Sequence, residues 1–308
     1  MSRVRRALLV VGDVVTDVVA RHRAPLASAT DTAAEIRTLP GGAGANAACW
    51  AVRSGAGEVR LLGRVGTDAA DWHERALRAA GVRPLLVRDA EAATATVIAL
   101  VDASAERTFL TDSGAALRLS PADWSPELLD GVARLHLSGY LFFVDPSRET
   151  ARRALRDATG AGIAVSVDPA SAGFLTALGA DRFLAAVEGA EVLLPNADEA
   201  RVLTGCSEPE RAAAELSRRF PLVVVTLGAA GALVAEGGAV AARVAAPPVR
   251  PVDSTGAGDA FTGAFLAARL AGADPVKAAE AGCRAGTEAV TVVGGRPPVP
   301  PADGRPAS

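Results

Sequence analysis

The residues best suited to chemistry lie late in the chain, in the run Val252-Asp-Ser-Thr-Gly-Ala-Gly-Asp-Ala-Phe-Thr-Gly-Ala-Phe265. Gly256, Ala257 and Gly258 stand directly before a helical pattern over Asp259–Leu270, so that unpaired backbone N–H groups and the helix dipole can converge on an anion. Asp259 lies at the same helix start, where a carboxylate acts either as a cap or as a general base. Because a cap does not need three small residues before it, the run predicts a phosphate-binding helix start that carries a base.

A second cluster of small residues, Leu39-Pro-Gly-Gly-Ala-Gly-Ala-Asn-Ala-Ala48, opens another helical pattern. Its Gly42-x-Gly44-x-x-Ala47 spacing superficially fits a dinucleotide fingerprint, but that motif should follow a buried strand, and here it follows Ile36-Arg-Thr-Leu-Pro40. The glycines are better explained by a close approach of the backbone and of Asn46 to a polar substrate. A tight helix-packing turn is the structural alternative.

The elements that position these motifs follow from the alternation of apolar runs with helical patterns. This order is typical of parallel strands joined by helical crossovers, and it predicts a three-layer α/β/α sandwich with a mostly parallel central sheet. Ligands are then expected at the carboxyl ends of the strands. The predicted strands are Ala7–Val11, Val59–Leu62, Leu135–Leu137, Ile163–Val167, Val192–Leu194 and Leu222–Val225, and the predicted helices are Ala45–Arg53, Trp72–Ala80, Arg148–Ala158, Arg182–Val187, Ala197–Leu203 and Arg211–Arg218.

Two segments interrupt this alternation, about 13–39 and 92–111. The second contains the strand patterns Ala95–Val101 and Arg107–Leu110, and together the segments predict a small β lid that projects from the main body and covers a site. We therefore expect one domain over residues 1–300, with 301–308 as a flexible tail. Exposed edges of the lid would allow two copies to pair as a homodimer, and a lid that closes alone is the alternative.

Composition excludes several classes of partner. The 308 residues carry a formal net charge of −3, and no basic cluster large enough for nucleic acid is present. The longest uncharged stretch, Pro221–Ala235, is too short to span a bilayer, so no membrane partner is expected. Three widely spaced cysteines predict free thiols in a reducing cytoplasm. Lys277 is the only lysine in the sequence, so a mechanism that needs a lysine has a single candidate.

Taken together, the motifs resemble those of the ribokinase-like carbohydrate kinases, also called the phosphofructokinase-B family. The runs Gly41–Asn46 and Asp253–Gly263 look like its first and second signatures, in the expected order and about 210 residues apart. Further similar elements are Gly12-Asp13 with Asp17, Gly63-Arg-Val-Gly-Thr-Asp68, Pro195-Asn-Ala-Asp-Glu199 and Thr226-Leu-Gly-Ala-Ala-Gly231. The resemblance covers residues 7–300.

This resemblance implies an ATP-dependent kinase in which Asp259 accepts a proton from a substrate hydroxyl as that oxygen attacks the γ-phosphorus. Gly256, Ala257 and Gly258 would form the anion hole, and Asn196 and Glu199 would organise magnesium and its waters. The residues implied in nucleotide binding are Asn196, Glu199, Thr226, Gly228, Gly231, Gly258 and Cys283.

On the substrate side, the resemblance implies that Asp17, Gly42 and Asn46 hold substrate hydroxyls together with Asp259. The family often has a monovalent-cation site as well. Its matching positions here are Asp253, Thr255, Ala289, Val292 and Gly294, which would bind potassium, whereas Pro298 stands where many relatives have a hydroxyl residue.

The expected substrate class follows from two sequence neighbourhoods that lack an arginine. Relatives that act on acidic sugars have arginines near positions that read Thr111-Asp-Ser113 and Asp168-Pro-Ala-Ser-Ala172 here, because a carboxylate favours a bidentate partner. A neutral pentose or hexose, such as ribose or fructose, is therefore the first expectation, and a nucleoside is the alternative. A nicotinamide-dependent oxidoreductase and a non-catalytic ligand sensor on the same scaffold are the competing functions.

Overall fold

A computed structural model describes residues 6–103 and 107–298 of the chain. The predicted tail at 301–308 lies outside these residues. The strands are β1 Ala7–Val11, β2 Val15–His22, β3 Ala34–Gly41, β4 Val59–Gly66, β5 Arg83–Asp89, β6 Ala95–Val101, β7 Arg107–Asp112, β8 Val132–Ser138, β9 Ala164–Asp168, β10 Val192–Leu193, β11 Leu222–Thr226, β12 Ala232–Glu236 and β13 Ala239–Val244. The helices are α1 Ala43–Arg53, α2 Ala70–Ala79, α3 Ser147–Gly160, α4 Ala172–Leu178, α5 Ala180–Ala186, α6 Ala197–Thr204, α7 Pro209–Leu216, α8 Ala257–Leu270 and α9 Pro275–Ala289.

Nine strands form the central sheet in the order β13-β12-β11-β10-β9-β8-β1-β4-β5. The strands from β11 to β5 run parallel, and β12 and β13 add an antiparallel edge. The mostly parallel sheet predicted from the alternating pattern is confirmed.

Two hydrophobic cores lie on opposite faces of this sheet. In β1, Leu9 and Val11 pack with α3–α7 on one face, whereas Leu8 and Val10 pack with α1, α2, α8 and α9 on the other. A strand buried on both faces needs a continuous apolar sequence, which explains why the central strands are recognisable as apolar runs in the sequence. The predicted three layers are therefore present.

A second sheet has the strand order β3-β2-β6-β7, with β2 and β6 parallel and the two outer pairs antiparallel. We call it the small sheet. Its strands β2 and β3 occupy the segment that showed no clear period, because much of β3 is exposed on both faces and so lacks a simple apolar alternation. It stands beside the carboxyl ends of the central strands and begins directly after β1.

Several predicted boundaries were wrong. α1 begins at Ala43 and α8 at Ala257, each two residues earlier than expected, which places Gly44 and Gly258 inside first turns. The edge strand β5 was missed, because only three apolar residues stand between its charged ends. The segment before the predicted helix Arg182–Val187 contains a separate helix, α4.

α1 and α8 pack closely through Gly263. A Cβ at this position would collide with the carbonyl oxygen of Ala47 and would lie 2.7 Å from Cβ of Trp50. The two helices carry Asn46 and Asp259, so this contact controls how those two side chains meet.

We expect Gly263→Ala to destabilise the protein by about 1–3 kcal/mol, because the added methyl overpacks the interface between α1 and α8. Gly160→Ala is the matched control, since a Cβ there meets nothing within 4 Å and the residue ends a helix; it should be neutral or slightly stabilising. Denaturant unfolding of both variants checks this prediction. Equal midpoints for the two variants would contradict it.

Candidate active site

A cleft of about 460 Å³ opens where the parallel strands of the central sheet end. Asp13 follows β1, Asp168 ends β9, Asn196 follows β10 and Thr226 ends β11, and all four side chains line it. The small sheet forms the opposite wall with Val15, Asp17, Ala95, Val97, Phe109 and Thr111. The cleft therefore lies at the place where open α/β sheets bind ligands.

The charge of this lining has one sign. Among the described residues that line the cleft there are six carboxyl groups and no lysine, arginine or histidine. The carboxyl groups belong to Asp13, Asp17, Asp112, Asp168, Glu199 and Asp259. Any anion that binds here must rely on backbone N–H groups or bring its own cation.

Asp259 lies in the first turn of α8 and faces the cleft. The amide Nδ2 of Asn46 donates a hydrogen bond of 2.8 Å to its Oδ2. Burial in the surrounding protein raises the pKa of Asp259 to about 8; the Asn46 hydrogen bond opposes this shift, and Asp168, Asp13 and Asp17 add to it. A carboxyl group with such a pKa is suited to exchange a proton near neutral pH.

The helix start beside Asp259 has the backbone expected of an anion site. Gly256 adopts a left-handed conformation with φ of 74°, and a Cβ there would collide with Gly295, so only glycine fits. Gly258 and Asp259 line the cleft, whereas Gly256 and Ala257 are not part of its described lining. The first N–H groups of a helix have no partner within the helix, so those of Gly258 and Asp259 are suited to an anion.

Asn196 and Glu199 form a capping box at the start of α6. The Asn196 backbone N–H donates to Glu199 Oε2 at 2.9 Å, its side-chain Nδ2 donates to Oε1 at 2.7 Å, and the Glu199 N–H donates to Asn196 Oδ1 at 2.9 Å. Burial raises the pKa of Glu199, as does the nearby Asp168. The pair therefore caps a helix and lines the cleft at once.

The donor set fits magnesium only in part. Within residues 6–103 and 107–298, no three His, Cys, Asp or Glu side chains converge to hold a metal ion. Magnesium commonly keeps several waters and binds through one or two carboxylates plus substrate phosphates. Asn196 and Glu199 suit that arrangement, because they offer oxygen atoms at one side of the cleft and leave the other ligands to phosphate and water.

Of the other residues implied in nucleotide binding, Thr226 lines the cleft and Cys283 does not. Gly228 and Gly231 belong to the turn that follows Thr226, where the N–H of Leu227 donates to the carbonyl of Gly231 at 2.8 Å. Cys283 is 5% exposed in the core beneath α8, and burial raises the pKa of its thiol to about 11. The structure places Cys283 in packing, outside the described lining.

The predicted cation positions are close to one another. Asp253 Oδ1 accepts the N–H of Thr255 at 2.8 Å, and its Oδ2 accepts the N–H of Gly294 at 3.0 Å. In the adjoining turn the N–H of Val292 donates to the carbonyl of Ala289 at 3.3 Å. Thr255 also lines the cleft, so this loop adjoins the start of α8.

Sequence reasoning missed the roles of two carboxyl groups that follow buried strands. Asp13 accepts the N–H groups of Ala43 and Gly44 at 2.7 and 3.2 Å and the Ser138 hydroxyl at 2.8 Å, so it fixes the start of α1. Asp168 accepts the Thr262 hydroxyl at 3.0 Å, and burial raises its pKa. Their position after strands β1 and β9 was the available signal.

The model of the pfkB family carbohydrate kinases matches residues 5–302. The chain belongs to this family. It is 32% identical over 271 residues to a fructokinase from Klebsiella pneumoniae, covering 84% of this chain and 82% of that one, and 29% identical over 276 residues to a ribokinase from Bacillus subtilis, covering 87% of each. A structure described as a ribokinase II from E. coli, in complex with ATP and Mg²⁺, superimposes with a TM-score of 0.83 at 25% identity, covering 95% of this chain and 94% of that one.

As a member of the pfkB family, the protein is a sugar kinase, a phosphotransferase with an alcohol acceptor. The dinucleotide alternative for Gly42–Ala47 is therefore wrong. The strand before this motif is β3, which belongs to the small sheet and not to the buried central sheet that a dinucleotide site requires. Among the described helices, none is long and apolar enough to cross a membrane.

Asp259 should make the stability of the kinase depend on pH. Its pKa is about 8 when folded, against 3.8 for an ordinary Asp, so the native state retains a proton that the unfolded state releases between about pH 4 and 8. This contribution to stability is present below pH 4 and is lost as pH rises through 8. We therefore expect Asp259→Asn to melt at least about 4 °C above the wild type at pH 9, since each kcal/mol is worth roughly 2–4 °C at this chain length.

The difference in melting temperature should shrink toward pH 4, where both side chains are neutral. Asp31→Asn is the control, because Asp31 is an exposed residue in the loop between β2 and β3 and does not line the cleft. Parallel melting curves of wild type and Asp259→Asn at every pH would contradict the prediction.

Proposed function

We propose that this kinase transfers the γ-phosphate of ATP to a hydroxyl group of a small neutral sugar of the fructose or ribose type. The observation that carries the substrate class is the acidic lining of the cleft. A sugar acid or sugar phosphate would face six carboxyl groups and no cationic side chain of the described lining. A neutral polyol instead offers hydroxyl donors to those carboxyl groups.

In this proposal the acceptor hydroxyls bind to Asp17, Gly42 and Asn46, which line the same cleft as Asp259. Asp259 takes the proton of the attacking hydroxyl. The hydrogen bond from Asn46 to Asp259 holds the carboxylate beside the acceptor residues. The base and the acceptor site are therefore assigned to the same two helix starts, those of α1 and α8.

ATP is proposed to bind in the part of the cleft that Asn196, Glu199 and Thr226 line. Its γ-phosphate would lie against the helix start at Gly256, Ala257 and Gly258, with magnesium held through water by Asn196 and Glu199. The complex of the E. coli relative with ATP and Mg²⁺ supports ATP and magnesium as the ligands. Thr226, Gly228, Gly231 and Cys283 are proposed for the nucleoside part, and Asp253, Thr255, Ala289, Val292 and Gly294 for a potassium ion that activates through the adjoining loop.

The lone lysine takes no part in this scheme. Lys277 is 74% exposed on α9 and pairs with Asp274 at 3.5 Å, away from the cleft. Neutralisation of the triphosphate is therefore assigned to magnesium and to backbone N–H groups, not to the lysine that other kinase folds employ.

An ADP-release assay tests the proposal across neutral sugars, sugar acids, sugar phosphates and nucleosides, with magnesium and with or without potassium. A neutral sugar should have the highest kcat/KM, and Asp259→Asn should lower kcat by about 10²–10⁴-fold while ATP binding persists. Near-normal turnover in Asp259→Asn would overturn the role of the base. Binding of a sugar with no ADP release from the wild type would instead support a non-catalytic sensor.

A nucleoside acceptor is the second candidate, because one end of the cleft is aromatic. Tyr140 and Phe174 line it with their rings 5.7 Å apart and edge to face, and Phe143 stacks on Phe174 at 5.1 Å. Phe109 contributes from the small sheet. A preference for nucleosides over sugars in the assay, lost in Phe174→Leu, would establish this candidate in place of a simple sugar.

We also propose that two copies pair through the outer face of the small sheet. Val18 of β2 lies opposite Ile98 of β6, which in turn lies opposite Leu110 of β7. Two residues further along β2, Ala20 lies opposite Ile36 of β3, on the same face of the small sheet. Ile36 is 64% exposed and Leu110 is 54% exposed. Clustered apolar side chains on a sheet face are typical of a contact surface.

Light scattering after size exclusion tests the pairing. The wild type should have twice the 31.1 kDa mass of one chain, and Ile36→Glu/Leu110→Glu should have the mass of one. Val249→Glu is the control, because this exposed residue lies outside the small sheet. A monomeric wild type would overturn the proposal.

A further inference from the structure

Arg296, a half-buried residue, lies behind the acceptor side of the cleft. Arg296 follows the glycines at 294 and 295, and its Nη2 donates a hydrogen bond of 3.0 Å to the carbonyl oxygen of Gly41, the first residue of the Gly41–Asn46 motif. Its Nε and Nη1 atoms are buried and have no hydrogen-bond partner in the described structure. Burying guanidinium N–H groups that have no hydrogen-bond partner costs free energy of folding. This cost points to a functional reason for the arginine at this position.

The charge of Arg296 acts on three titratable groups, Asp17, Cys49 and His73. Burial raises the pKa of Asp17 to about 6, Arg296 opposes this shift, and Asp13 and Asp253 add to it. Burial also raises the pKa of the Cys49 thiol and lowers that of His73, and the guanidinium lowers both. Among the described carboxyl groups with a shifted pKa, Asp17 is the one that the charge of Arg296 stabilises in its ionised form.

The same arginine controls the backbone on which Asp17 rests. A Cβ on Gly41 would collide with the Asp17 carboxylate, so the carboxylate packs directly on the residue whose carbonyl Arg296 holds. Nearby, the Trp50 indole N–H donates to the carbonyl of Gly295 at 2.9 Å, and Gly295 packs against the Asn46 amide. The segment 294–296 therefore braces the acceptor side from outside the cleft.

Arg296 itself does not face the substrate. It is absent from the described lining of the active-site cleft and instead lines a separate apolar cavity with Leu39, Pro40 and Ala76. Its cation is therefore not available to pair with an anionic substrate. A positive charge is used to keep a substrate-binding carboxylate in place while the cleft remains acidic.

We propose that Arg296 is a positioning residue for the acceptor site, which acts by holding Gly41 and Asp17 in their substrate-binding arrangement. This inference rests on the proposed function, because it assigns acceptor binding to Asp17. It predicts a specific defect in acceptor binding and none in nucleotide binding, since the hydrogen bond that Arg296 makes in the described structure is to Gly41, on the acceptor side.

The test compares Arg296→Met, which keeps the length of the side chain, with Arg296→Lys, which keeps its charge. We expect Arg296→Met to raise KM for the sugar at least about tenfold, as for loss of a charge-assisted hydrogen bond, with KM for ATP within about twofold of the wild-type value. Arg296→Lys should recover much of the sugar KM. Equal changes in both KM values, or no change in either, would overturn the proposal.

Arg269→Met is the matched control for a merely structural effect. Arg269 also has a buried Nε without a partner and donates to a backbone carbonyl, that of Ala273 at 2.8 Å, but it lies at the far end of α8. Its replacement should lower the melting temperature and leave the sugar KM unchanged. A tenfold rise in sugar KM for Arg269→Met would show that loss of stability alone explains the effect.

A double-mutant cycle with Asp17→Asn shows whether Arg296 acts through Asp17. The effects of Arg296→Met and Asp17→Asn on sugar KM should be clearly less than additive, because each removes one partner of the same arrangement. Full additivity would overturn the mechanism. The assays are run with and without potassium, so that an effect through the neighbouring Gly294 loop is recognised by its dependence on the ion.

These outcomes separate the two proposals. If the wild type phosphorylates a sugar and the Arg296 variants bind it normally, only the role of Arg296 fails. If the wild type phosphorylates no acceptor in the screen, the proposed function fails, and the positioning role fails with it. If Arg296→Met does not fold, Arg296→Gln, which keeps hydrogen-bond donors but removes the charge, replaces it in the KM comparison and in the cycle with Asp17→Asn.

Discussion

The hydrogen bond between Asn46 and Asp259 is the interaction on which the site depends. It joins residues 213 positions apart, one in the first turn of α1 and the other in the first turn of α8. It also gives a carboxylate in an acidic environment one of the few donors nearby. The close contact at Gly263 and the cap that Asp13 provides for α1 both maintain the geometry of this bond.

The carboxyl groups that line the cleft repel one another and destabilise the folded protein, but they are useful in a kinase. Burial and mutual repulsion raise the pKa values of Asp17, Asp259 and Glu199, so these groups hold protons more tightly than ordinary carboxyls. A bound cation would reverse that effect. The proposed arrival of ATP with magnesium therefore supplies the positive charge that the described lining lacks. Such a site sacrifices some stability for function.

Much of the fold and the general location of the site follow from the sequence. The central strands are buried on both faces, so their apolar runs are continuous, and residues that come after them gather at one edge of the sheet. Asp17, Asn46, Glu199 and Asp259 are accordingly brought into one cleft. The small sheet was harder to predict in detail, because β3 is too exposed to show a period.

The rest depends on contacts between distant parts of the chain, which a sequence pattern does not encode. Arg296 looks like an ordinary loop arginine until the structure places it against Gly41. Cys283 matches a nucleotide position by resemblance, yet the packing of α9 on α8 buries it in the core. The helix starts at Ala43 and Ala257 were predicted two residues late, because Gly44 and Gly258 in the first turns have a low helix propensity.

The most direct test of the proposed active site is a crystal structure with a non-hydrolysable ATP analogue, magnesium and the preferred sugar bound together. We expect the acceptor hydroxyl to lie within about 3 Å of the Asp259 carboxylate. We also expect the terminal phosphate to lie against the start of α8, at Gly256, Ala257 and Gly258. A hydroxyl placed on Asp13 or Asp168 instead, or a terminal phosphate away from the start of α8, would contradict it.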